Sequence, residues 1–218
     1  MLDIPSNKTM RVTMVSIAIL VWFALVLQLF LMGSHASADG RPLFGAVVNY
    51  FSFFTILTNL LVAVVLSSPF VLSGTTAGRF FARPTVLAGT AVYIAIVGAT
   101  YFLLLRHLWN PQGLDHLADV LLHDVVPVTY VLYWLIFVPK AALRWKHALL
   151  WLVYPAVYMV YTVAHGAITG WYPYPFIDVA VLGYSHALNN AAGMLLAFLG
   201  AGLLVVVIGK FAGRKSAR

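Results

Sequence analysis

The segment from Asp119 to Pro127 holds the side chains best suited to chemistry. It reads Asp-Val-Leu-Leu-His-Asp-Val-Val-Pro and opens an apolar run that continues to Lys140. Asp119 and His123 are four residues apart, so on a helix they share a face. Asp124 points about 100° away. A carboxylate beside an imidazole is the arrangement that orients a general base in the serine triads. Pro127 has no N–H, so on a regular α-helix it leaves the carbonyl of His123 without its partner. The spacing predicts a loosened turn at His123 with an orphaned acceptor. The plain alternative is a satisfied buried histidine beside a proline kink.

Whatever positions these residues must be apolar. The chain has 218 residues, 62% hydrophobic and only 9% charged, against about 45–50% and about 25% in a soluble domain. Six runs, at 12–32, 47–66, 85–105, 120–138, 148–167 and 187–208, approach the length of about 20 residues that crosses a bilayer. This predicts one all-α domain over residues 1–218, a bundle of six transmembrane helices. The first run lacks a small-residue cleavage site at its end and reads as a retained span. Cysteine is absent, which excludes disulfides, thiolate nucleophiles and cysteine-ligated clusters. No internal repeat of the inverted-repeat transporter type is found.

The formal charge of +7 is a topology signal. Lys8, Arg11, Arg79, Arg83, Lys140, Arg144, Lys146, Lys210, Arg214, Lys215 and Arg218 all fall on one side if the spans alternate. Only Arg41 and Arg106 fall on the other. Both termini are then expected in the cytoplasm, and nucleic acid is not an expected partner. Arg106 and His107, at the outer end of the third run, read as interfacial.

The polar residues inside the runs cluster at the outer ends. The second run carries Ser52, Thr55, Thr58 and Asn59 at helical spacing, and the fourth carries Asp119, His123 and Asp124. The fifth carries Tyr158, Tyr161, Thr162 and His165 on one face, with Pro155 kinking the helix and freeing the carbonyl of Trp151. The sixth opens with His186, Asn189 and Asn190. Trp171 lies in the stiff outer loop 170–176, which suits a pocket rim or an interfacial aromatic belt. One polar cavity opening toward the outer leaflet is the simplest account. There a Thr hydroxyl beside a neutral His can become a nucleophile, and the His can return the proton to a leaving group. Asp119 would orient the imidazole, with Asn59 or a helix N–H as oxyanion donor. Ser or Thr bonding back to its own helix, or gluing helices together, is the simpler role for each hydroxyl. Spacing does not bring Thr55 to His123. Lipid binding or transport through the same cavity, and histidine-ligated haem, stay open.

Three segments narrow this. Phe53-Phe-Thr-Ile-Leu-Thr-Asn-Leu60, Leu122-His-Asp-Val-Val-Pro127, and His165 followed by Gly170-Trp-Tyr-Pro-Tyr-Pro-Phe176 together resemble the androgen-induced protein family and its bacterial six-span relatives. Their order and spacing match from the second run to the sixth. The resemblance implies an intramembrane hydrolase of fatty acid esters of hydroxy fatty acids, here in a bacterial inner membrane. It implies a threonine nucleophile, matching Thr55 after its aromatic pair, and a histidine four before a proline, matching His123. Lipid substrate and bilayer lipids are the expected partners, with no cofactor and no metal.

Overall fold

The computed structural model describes residues 7–215, with side chains as far as residue 211. Among the described residues the regular structure is helical throughout. Six helices are long and apolar enough to cross a membrane: Lys8–Ala38, Phe54–Val71, Pro84–Leu108, Gly113–Phe137, Trp145–Thr169 and Val179–Phe211. The chain is an all-α multi-pass membrane protein, as its composition predicts. Most helices outrun the apolar runs because polar residues continue them at the ends. Asn7, for example, caps the first by accepting from the N–H groups of Thr9 and Met10 at 2.9 and 3.3 Å. Of the basic residues that set the expected orientation, Arg218 and the side chains of Arg214 and Lys215 lie outside what is described.

The chain divides into two units, Met1–Ala142 and Leu143–Arg218. In the first, α1 (Lys8–Ala38) packs on α2 (Leu43–Ser52) and α3 (Phe54–Val71). The short α4 (Thr76–Phe81) leads to α5 (Pro84–Thr100), which packs on α3 and on the fourth span. That span consists of α6 (Gly113–Val120), a turn, and α7 (Val126–Phe137). Val21, Val62, Leu66, Ile94 and Val126 are fully buried between them. Buried hydroxyls find backbone partners, as they must in an apolar surround. Tyr50 donates to the Leu25 carbonyl at 2.8 Å and Tyr130 to that of Leu87 at 3.2 Å. Below α7, Lys140 Nζ donates to the carbonyls of Trp134, Leu135 and Val138 at 3.0, 2.8 and 2.9 Å. It caps the helix end, and burial pushes its pKa below the usual lysine value.

The second apolar run is not one helix. It stops at Ser52, Phe53 is extended (φ −81°, ψ 128°), and α3 starts at Phe54. Ser52 and Thr55 therefore do not continue one stripe. Ser52 bonds back to the Val48 carbonyl at 2.8 Å, the simpler role for a hydroxyl inside an apolar helix.

In the second unit, α8 (Trp145–Leu150) and α9 (Val153–Thr169) make the fifth span. The break is a turn at Trp151 and Leu152. Pro155 sits in the first turn of α9, where a missing N–H has no intrahelical consequence, so the expected mid-helix kink becomes a helix start. In α10 (Val179–Lys215), Gly183 is non-helical at φ 72°, ψ 161°. Only glycine adopts this readily, and the helix is two pieces meeting there. Asp178 caps the first piece, accepting from Ala180 and Val181 at 2.9 and 3.2 Å. The sixth span thus begins before the residue 187 expected from hydropathy.

Candidate functional site

Two π-turns meet in the first unit, at Tyr101–Leu105 and Leu121–Val125. A π-turn bonds each N–H to the carbonyl five residues back and so holds one extra residue. The Arg106 N–H reaches the Tyr101 carbonyl, and the Val126 N–H reaches that of Leu121. This changes what Pro127 does. In that register the carbonyl opposite Pro127 belongs to Leu122, not His123. Asn59 takes it, donating from Nδ2 at 3.2 Å. The orphaned acceptor expected at His123 thus lies one residue earlier and is satisfied from another helix.

Asn59 Nδ2 also donates to the Thr55 carbonyl at 2.9 Å. Both of its N–H groups are engaged, so Asn59 has no donor left for an oxyanion, and that expected role is corrected. Its Oδ1 is buried without a hydrogen-bond partner. Thr55, Thr58 and Asn59 are all buried. Thr55 is the second residue of α3, one turn before Asn59 on the same face. Asn59 therefore ties the turn that holds Thr55 to the turn that holds His123.

The expected Asp119–His123 pair is present. Nδ1 of His123 lies 3.0 Å from the Asp119 carbonyl and 3.1 Å from its carboxylate Oδ1. The carbonyl contact has hydrogen-bond geometry and the Oδ1 contact does not. Both neighbours are acceptors, so Nδ1 is the donor, and in the neutral imidazole Nε2 holds the free lone pair. Nε2 has no hydrogen-bond partner among the described residues. Tyr101 completes the array. Its phenol donates to Asp119 Oδ2, and its ring stacks on the imidazole with centroids 4.0 Å apart and planes 17° from parallel. The Asp119 side chain is 4% exposed and that of His123 16%.

Asp124, on the other side of the helix, accepts from Arg106 Nη2. The Arg106 guanidinium carbon lies 5.2 Å from the Tyr101 ring centre and 5.1 Å from that of Phe102, within cation–π range. A groove of about 450 Å³ starts at His123 and Asp124 and runs along Pro127, Val128 and Val131, with Ala95 and Gly98 opposite. Gly98 keeps the two helices close: a Cβ there would sit 3.1 Å from Pro127 Cβ and 3.3 Å from the His123 carbonyl oxygen.

The second unit has its own polar cluster. His165 lies 5.6 Å from the Tyr161 ring and 5.9 Å edge-on from Trp171. Tyr158 neighbours Tyr161, with ring centroids 6.4 Å apart. Thr162 Oγ1 and His165 Nε2 are buried without hydrogen-bond partners. The loop folds back on α9, where Tyr172 occupies the space a Cβ on Gly166 would need. His186, Asn189 and Asn190 are exposed, and Asn190 Nδ2 donates to the Phe176 carbonyl at 2.9 Å. Asn190 therefore fastens the loop.

Tyr101, which sequence reasoning passes over, and Arg106, which it reads only as interfacial, are brought to this cluster by the fold. Their one signal is polarity at the end of an otherwise apolar run. No family model, curated protein or solved structure matches this chain.

Proposed function

We propose that this protein is an intramembrane hydrolase of lipid esters, a relative of the androgen-induced family acting on fatty acid esters of hydroxy fatty acids. The observation that carries the reading is His123. It is held through Nδ1 by Asp119, stacked on Tyr101, left without a hydrogen-bond partner on Nε2 among the described residues, and lines an apolar groove. An oriented neutral imidazole at the edge of an acyl-sized groove is the equipment of general-base ester cleavage.

In this mechanism Thr55 Oγ1 attacks the ester carbonyl carbon while His123 Nε2 takes the hydroxyl proton. The C–O bond to the hydroxy acid breaks, and His123 gives the proton to the departing oxygen. Water then repeats the sequence on the acyl-threonine, releasing the fatty acid. The basic residues argue for cytoplasmic termini, and the resemblance to the bacterial six-span relatives argues for a bacterial inner membrane.

The test is hydrolysis of a hydroxy-fatty-acid ester by wild type, Thr55→Ala, Thr55→Ser and His123→Ala in detergent, with intact-mass analysis. Thr55→Ala and His123→Ala should be inactive, since nucleophile and base act as a unit. Thr55→Ser should keep part of the activity and show an acyl adduct. Full turnover by Thr55→Ala would rule out the nucleophile. Tight binding of the ester with no turnover by wild type would leave the groove as a lipid-binding or transport site.

A further inference from the structure

We infer that Arg106 is a specificity residue, which receives the carboxylate of a lipid ester whose chain lies in the groove beside His123. This rests on the proposed hydrolase reading and assigns a residue to the free carboxylate that a fatty acid ester of a hydroxy fatty acid carries.

Arg106 falls within a membrane-spanning segment, Pro84–Leu108. It stands near the end of that segment, where a long cationic side chain reaches the interface. A guanidinium has five N–H donors, and Arg106 uses one, from Nη2 to Asp124 Oδ1. The other donors have no hydrogen-bond partner among the described residues. Its side chain is 42% exposed and that of Asp124 38%, so the pair stands at an opening and not in the core. Cation–π contacts with the Tyr101 and Phe102 rings help hold the guanidinium in place. A held fork loses little freedom when it binds a second carboxylate.

The position is as informative as the chemistry. Phe102 and Asp124, which touch Arg106, both line the groove, and so does His123. Tyr101 stacks on His123 and also lies within cation–π range of the guanidinium. A chain lying along Pro127, Val128 and Val131 would therefore bring its polar end to Arg106 and a mid-chain ester near His123. Asp124 is a competitor for the same cation. An arriving carboxylate shares the fork with it or displaces it, so neutralising Asp124 should tighten the site for anions.

The experiment compares a hydroxy-fatty-acid ester bearing a free carboxylate with its methyl ester, using the full chain in nanodiscs. Turnover gives the ratio of kcat/KM values. Ether analogues that cannot be cleaved give the ratio of Kd values through tryptophan fluorescence. Wild type should favour the acid about tenfold, the scale of one charge-assisted hydrogen bond. Arg106→Gln should bring both ratios close to one by raising KM and Kd for the acid, and Arg106→Lys should recover part of the preference. Asp124→Asn should widen the binding ratio, and it carries the test if Arg106→Gln does not fold. A wild-type ratio of one, or a ratio unchanged in both Arg106→Gln and Asp124→Asn, would overturn the assignment. Acid preference in binding with no turnover keeps the assignment and removes the hydrolase. Turnover without preference does the reverse.

Discussion

His123 and His165 sit in similar company and are held differently. Each lies against a tyrosine ring, stacked for His123 and tilted by 33° for His165, and near an aspartate or a threonine one turn away. His123 has a carboxylate and a carbonyl on Nδ1, and its Nε2 has no hydrogen-bond partner among the described residues. The Nδ1 of His165 meets only the Thr169 hydroxyl, at 3.5 Å, and that hydroxyl already donates to the His165 carbonyl at 2.8 Å. Its Nε2 is buried. A polar histidine in a membrane helix is thus not enough to mark a base. What distinguishes one is a fixed tautomer with the opposite nitrogen aimed at space a substrate can enter.

The largest expected effect tests that distinction directly. His123→Ala should lower kcat by about 10²–10⁴-fold, the range of general-base contributions. His165→Ala should stay within about tenfold of wild type, because it removes packing and one long contact. Steady-state kinetics on the two purified variants decide it, and equal losses would erase the contrast. Asp119→Asn comes next, with a loss of roughly one to two orders of magnitude. It should be milder than loss of the base because the Asp119 backbone carbonyl still holds Nδ1. An unchanged rate in folded Asp119→Asn would reduce the carboxylate to a helix charge.

Tyr101→Phe should be smaller again. The ring stays stacked on His123, but the buried Asp119 carboxylate loses a donor, which costs about 1–3 kcal/mol. A lower Tm with activity reduced only a few-fold is the expected result, read by thermal unfolding beside the ester assay. Ser52→Ala should do least, within about 1 kcal/mol of wild type, with its hydroxyl bonding back to the Val48 carbonyl. A large loss there would return Ser52 to the functional face.

The sequence shows these features unevenly. The spans are legible because length and hydropathy are summed over about twenty residues. Asp119 and His123 are legible because helical spacing alone puts them together. The break at Phe53 is not, since no glycine or proline marks it and both flanks are apolar. Pro127 announces a disturbed turn, but which carbonyl it orphans depends on a π register that the residue types do not encode. The site roles of Tyr101 and Arg106 remain hidden because their partners, Asp119 and Asp124, lie eighteen residues on in another span. Pairing between helices is set by packing, which periodicity within one helix does not report.

The two π-turns also bear on how such a site is gained and lost. Each is equivalent to a single-codon insertion into a uniform helix. Deleting one residue within Tyr101–Leu105 would turn the bond from the Arg106 N–H to the Tyr101 carbonyl into an ordinary α-helical one and remove the bulge, with the flanking helix keeping its face. The side chains of the widened turn would be re-aimed while the hydropathy of the span hardly changed. Under the proposed function, a one-residue difference in length, silent in composition, would therefore alter the site and leave the scaffold as it was.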